Sequence, residues 1–179
     1  QTAVDAVDKI RDTAESHERM FLVEVMGRHS GFIAVHTALA AGAECACIPE
    51  TITDIPAIIQ DWHDMKARGK TSAMMIVAEG DEQGGAEVVN EQLKAAGNPY
   101  STRCVILGHL QRGGSPSPED RILASSVGDT AVEAIIAGQN GVMAGVIGGQ
   151  PHLTAFADTY ANHKPIPPEL SSLLERLAR

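Results

Sequence analysis

Short apolar runs alternate along this chain with longer segments of helical periodicity, and that alternation confines it to a narrow set of folds. Val4, Val7 and Ile10 recur at helical spacing before an apolar run from Met20 through Phe21 to Val25 that reads as a strand. Ser30 is placed to cap a helix from Phe32 to Ala41, closed by Gly42. A strand from Glu44 to Ile48 ends at Pro49, a helix follows from about Asp54 to Arg68, and a strand runs from Ala73 to Ala78. A helix from about Ala86 to Ala96 then leads to Cys104–Leu107, which reads as a buried strand. Strands joined by helices pair through crossovers, so the predicted class is α/β: a Rossmann-like three-layer sandwich with a mainly parallel sheet. Beyond Gly114 the pattern changes to a long helix from about Pro118 to Ala137 and a strand from Val142 to Ile147. A polar tail with Pro165, Pro167 and Pro168 is expected to cross the surface before a short helix from Glu169.

Charge narrows the partners. A net charge of -9 and a pI near 5.2 argue against nucleic acid or an anionic membrane, both of which need a basic face. No apolar run approaches the roughly 18 residues of a membrane span, so a cytoplasmic location is expected. Cys45, Cys47 and Cys104 form no CxxC pair, and Cys45 and Cys47, two apart in a strand, share a face and read as packing residues. The start at Gln1 rather than Met is expected of a piece of a longer polypeptide or a processed product.

Open parallel sheets bind ligands at the carboxyl ends of their strands, and three such ends carry polar groups here. Gly108-His109-Leu110-Gln111-Arg112-Gly113-Gly114-Ser115-Pro116 sets His109 and Arg112 beside a glycine pair that permits backbone angles closed to other residues. Met26-Gly27-Arg28 follows the strand Phe21 to Val25, and Glu79-Gly80 follows Ala73 to Ala78. Cations suit a phosphate and a carboxylate suits hydroxyls, so the inventory fits a sugar phosphate. Taken alone, the Gly108–Pro116 stretch also reads as a strand end with a solvated arginine and a turn, and Met26-Gly27-Arg28 as a solvated arginine in a βα loop. No Ser/His/Asp triad, HExxH, GxxxxGK[ST] loop or GxGxxG between strand and helix is present, and no catalytic base stands beside the candidate site.

Larger blocks carry a family resemblance. Ile10-Arg11-Asp12-Thr13, Ser16-His17-Glu18-Arg19, Val23-Glu24-Val25-Met26-Gly27-Arg28, Ile48-Pro49-Glu50, Ala78-Glu79-Gly80, Thr102-Arg103, Leu107 to Pro116 and Asp120-Arg121-Ile122-Leu123-Ala124-Ser125 together resemble 6-phosphofructokinase. The match runs from about residue 1 to 125, and it is to the carboxyl-terminal, fructose 6-phosphate-binding half of the bacterial-type subunit. The resemblance implies the phosphofructokinase fold and, in the parent enzyme, transfer of a phosphoryl group from Mg2+-ATP to fructose 6-phosphate in glycolysis. A pyrophosphate donor and a non-catalytic fructose 6-phosphate-binding module stay open, and the chain alone is expected to be inactive.

The resemblance also implies roles for residues. Met26, Gly27 and Arg28 correspond to the loop that grips the sugar phosphate, with Arg28 the catalytic contact to the transferring phosphoryl group. Glu79 corresponds to a ligand of the sugar hydroxyls, His109 to a ligand of the 6-phosphate and Arg112 to one near the reacting end. Arg19 and Arg103 correspond to arginines that reach a neighbouring subunit's site, implying a homo-oligomer, a tetramer in the parent. Arg11, Glu50, Arg68 and Lys70 correspond to an effector site for ADP or phosphoenolpyruvate, with Glu50 on an effector-bound magnesium. Thr71 departs from a consecutive lysine pair at that site, and Ser30-Gly31-Phe32 departs from the usual pattern too. The expected division is a sugar-phosphate domain at 1–112, a segment at 113–163 that packs on a nucleotide domain, and a tail at 164–179.

Overall fold

The computed structural model describes residues 1–17, 19–161 and 163–177, so Glu18 of the motif quoted above and the last two residues of the tail lie outside the described residues. The side chains of residues 14–17 lie outside them as well. The described residues form two compact units, one within 1–113 together with 166–177 and one within 114–165.

In the first unit α1 (Thr2–His17) precedes β1 (Arg19–Val25), α2 (Phe32–Ala41), β2 (Cys45–Cys47), α3 (Ile55–Ala67), β3 (Ala73–Ala78), α4 (Ala86–Ala95) and β4 (Ser101–Ile106). A 3-10 helix (Gly108–Arg112) follows, and α7 (Pro168–Leu177) returns from the far end of the chain to pack on α2. The four strands are parallel in the order β2-β3-β1-β4. Side chains alternate across a strand, so β1 and β3 feed two cores. Phe21, Val23, Val25, Met74, Ile76 and Ala78 meet α1, α2 and α7 on one face. Met20, Leu22, Met75 and Val77 meet α3 and α4 on the other, around Trp62 at 2% exposure. These are the three expected layers. Cys45 and Cys47, both free thiols, join the second core, and the side-chain hydrogen bond with Cys45 and burial push the Cys47 thiol well above its ordinary value. That is the packing role expected of them.

Two readings of this unit are corrected. Cys104–Leu107 is not a buried strand: β4 starts earlier, at Ser101, and Ile106 is 53% exposed because β4 is the sheet's edge with one neighbour. Ser30 does not cap α2; Gly31 holds the cap position without a side-chain bond of its own. The Glu50 carboxylate takes the Gly31 N–H instead, its oxygens at 2.9 and 3.0 Å. Gly42 does close α2 with a left-handed φ of 64°.

The second unit holds α5 (Pro118–Ile136), the antiparallel pair β5 (Val142–Ile147) and β6 (Gln150–Ala155), and α6 (Phe156–Ala161). Ser117 and Asp120 form a capping box with Pro118 at the first turn. The polar tail expected after Ile147 is instead β6. Gly148 and Gly149, at φ 60° and 79°, make a two-residue turn with the left-handed angles that match strand twist. Ala134 is the one buried residue of this unit among the described residues, so it has almost no core of its own.

Candidate functional site

Strand register determines which loops meet. Val25 pairs with Ala78 and Glu24 with Ile106, so β3, β1 and β4 end at one level. The ladder runs one bond further on each side, from Glu79 N–H to Val25 O at 2.9 Å and from Leu107 N–H to Glu24 O at 3.1 Å. Met26, Glu79 and the Gly108–Arg112 helix therefore leave the sheet side by side.

Side chains from the two flanking strand ends hold three successive amides of the central loop. Met26 N–H donates to Gln111 Oε1 at 2.9 Å, while Gly27 and Arg28 N–H both donate to Glu79 Oε1, at 3.3 and 2.9 Å. Ser30 N–H closes the turn on Gly27 O at 3.1 Å. Gly27 has φ 153°, and a Cβ there would lie 2.4 Å from Ser30 O. Arg28, at φ 51°, is the one non-glycine residue with positive φ among the described residues, a conformation that costs an L-residue about 1–2 kcal/mol. Next to it, a Cβ on Gly80 would lie 1.7 Å from Arg28 O, so only glycine lets the two backbones approach.

With Oε1 engaged on amides, Glu79 keeps Oε2 as an acceptor for hydroxyl donors. His109 and Arg112 are exposed, and among the described residues neither side chain makes a hydrogen bond or ion pair. The edge thus brings together Met26, Gly27, Arg28, Glu79, His109 and Arg112, and combines an uncommitted histidine and arginine with a carboxylate. Arg19 and Arg103 are not part of this cluster. Arg19 opens β1, roughly 20 Å away along a seven-residue strand, and Arg103 is exposed in β4, its guanidinium donating to Thr102 O at 3.0 Å.

Arg11, Arg68 and Lys70 lie at the opposite, amino edge of the sheet, in or beside the helix-to-strand turns. The Arg11 guanidinium donates to Ala41 O and, at 3.0 Å, to Gly42 O, and so caps α2. Lys70 Nζ pairs with Glu44 Oε1 at 2.6 Å, and Glu44 Oε2 accepts the Met74 N–H. Arg68 caps α3 and lines a cavity of about 730 Å³ together with Glu44, Trp62, Met65 and Leu174. Glu50 does not join these cations. It follows β2 and Glu44 precedes it, so the strand separates them, and the carboxylate beside Lys70 is Glu44. Glu50 is also committed to Gly31, and among the described residues no three His, Cys, Asp or Glu side chains cluster to hold a metal.

Residues that motif reading passed over support the site. Glu24 Oε2 accepts the Ala86 N–H at 2.8 Å and anchors the start of α4 to β1. Asp81, 5% exposed, accepts the Thr53 hydroxyl at 2.8 Å and the Gln83 N–H at 3.1 Å, tying the loop after β2 to the loop after β3. Burial pushes its carboxyl above the ordinary value, against the Thr53 bond. Gln111 was visible only as a polar residue between His109 and Arg112. Among the described residues no helix is long and apolar enough to cross a membrane.

Comparison with known proteins gives a consistent set of relatives. A family model described as Phosphofructokinase matches residues 1–135. ATP-dependent 6-phosphofructokinase 1 of Thermus thermophilus is 45% identical over 181 residues, covering 99% of this chain and 55% of that protein. ATP-dependent 6-phosphofructokinase 2 of Bacteroides thetaiotaomicron is 45% identical over 177 residues, covering 99% of this chain and 54% of its own length. The solved phosphofructokinase from Saccharomyces cerevisiae superposes with a TM-score of 0.77 at 27% identity, over 99% of this chain and 24% of that one. Pyrophosphate-dependent phosphofructokinase from Marinobacter aquaeolei gives 0.76 at 22% identity over 93% of this chain and 46% of that one, a likeness of fold. The chain spans about half the length of the curated relatives it matches.

Proposed function

The chain belongs to the phosphofructokinase family, and on that premise we propose that it is the sugar-phosphate-binding half of an ATP-dependent 6-phosphofructokinase. The reading rests on one observation, the level exit of β3, β1 and β4 that sets Glu79, Met26–Arg28 and His109/Arg112 along one edge. In this reading His109 takes the 6-phosphate, Arg112 stands as a charged donor near the reacting end, Glu79 Oε2 accepts sugar hydroxyls, and the Met26–Arg28 loop grips the sugar phosphate. Arg28 supplies positive charge where the phosphoryl group passes to the 1-hydroxyl; a backbone already fixed by Glu79 spares it reorganisation at that moment. These residues bind, orient and stabilise charge.

The donor is ATP in this proposal, in line with the names of the relatives at 45% identity. Arg19 and Arg103, outside the cluster in their own chain, reach the site of a neighbouring copy in a homo-oligomer, a tetramer in the parent. ADP or phosphoenolpyruvate acts at the amino edge through Arg11, Arg68 and Lys70, and binding there has to compete with the Glu44–Lys70 pair. A coupled assay on the native-length polypeptide, with ATP or pyrophosphate and fructose 6-phosphate, tests the reading. ATP-dependent turnover lost in Arg28→Ala is expected. Pyrophosphate-dependent turnover reassigns the donor, and binding without turnover on either donor marks a non-catalytic module.

A further inference from the structure

We propose that Gln111 is a positioning residue that locks the two ligand-bearing loops of the site into one frame. The inference rests on the fructose 6-phosphate reading above. The 3-10 helix Gly108–Arg112 carries His109 for the 6-phosphate and Arg112 near the reacting end, and the Met26–Arg28 loop grips the sugar phosphate and carries Arg28 at the transferring phosphoryl group. Nothing in the ladder joins them beyond Leu107 N–H to Glu24 O, which stops short of both. The bond from Met26 N–H to Gln111 Oε1, 2.9 Å long and spanning 85 residues of sequence, is the direct tie between helix and loop.

Its chemistry suits that task. Gln111 follows the phosphate ligand His109 by two residues and precedes Arg112, so fixing its side chain restrains the short helix that displays both. The acceptor is neutral, whereas a carboxylate there would add negative charge beside a phosphate. Glu79 already holds the next two amides, so Gln111 completes a run of three consecutive backbone donors held from both sides. A ligand that spans both loops needs them in register; a ligand that touches one loop does not.

That difference provides the test. Binding of fructose 6-phosphate and of inorganic phosphate to wild type, Gln111→Met and Gln111→Glu is measured by calorimetry, with amide hydrogen exchange at Met26 and thermal unfolding alongside. Gln111→Met is expected to weaken fructose 6-phosphate about three- to tenfold while phosphate binding and thermal stability hold and Met26 exchange quickens. Gln111→Glu, which keeps an acceptor, restores slow exchange at Met26. Equal loss for both ligands, or unchanged fructose 6-phosphate affinity in Gln111→Met, overturns the positioning role alone. Failure of wild type to bind fructose 6-phosphate overturns the underlying reading and the inference with it.

Discussion

Glu79 holds Arg28 by the backbone rather than by charge: its Oε1 accepts the Arg28 N–H at 2.9 Å, while Arg28 sits at φ 51°. A carboxylate beside an arginine invites a salt bridge, yet here it fixes the arginine's main chain.

The first expectation concerns that strained turn. Arg28→Gly removes the left-handed penalty at the expense of some chain entropy, a net gain of about 1 kcal/mol in stability with loss of sugar-phosphate affinity. Gly80→Ala puts a Cβ against Arg28 O and is expected to cost about 3 kcal/mol. Urea unfolding of both variants measures this. A destabilised Arg28→Gly, or a neutral Gly80→Ala, contradicts the described geometry.

Asp81 sets a pH dependence. Its folded pKa is raised by burial, so the folded state holds its proton more tightly than the unfolded chain does. The resulting stability is fully present below the unfolded value near 3.8 and is lost as pH rises through the higher folded value. Relative to Asp81→Asn, wild type is therefore expected to gain stability as pH falls from neutral toward that window. Thermal midpoints of the pair that run parallel from neutral to acid would rule this out.

The second unit makes a prediction about association. Ile122, Ile135, Ile136 and Tyr160 are exposed, Ile136 at 80%, around a unit with a single buried residue among those described. Apolar surface of this kind drives association, so the isolated chain is expected to bind a hydrophobic dye and self-associate. Ile122→Lys/Ile136→Lys is expected to lower both. A monomer at high concentration with little dye binding contradicts the expectation.

Most of the architecture was readable because it depends on local periodicity. β3 and β5 run over the residues their apolar patterns mark, and α3 starts and stops at Asp54 and Arg68 as capping chemistry directs. The departures are non-local. Pro151 and His152 hid β6, whose signal was the Gly148-Gly149 pair before it. The bond that caps α2 comes from Glu50, 19 residues away. Strand ends marked the site's edge, since register carries them to one level. Gln111 and Asp81 stayed hidden because their partners are a distant amide and a distant hydroxyl, which no spacing rule connects.

The most direct test of the account is calorimetric titration of the 179-residue chain with fructose 6-phosphate, set against fructose. Saturable binding of the phosphorylated sugar alone is predicted, weakened about ten- to a hundredfold by His109→Ala or Arg112→Ala, the value of one charged hydrogen bond. Thermal unfolding of these exposed-site variants is expected to match wild type. Absence of binding, or equal affinity in wild type and both variants, contradicts the claim that the carboxyl edge of β3, β1 and β4 is a sugar-phosphate site.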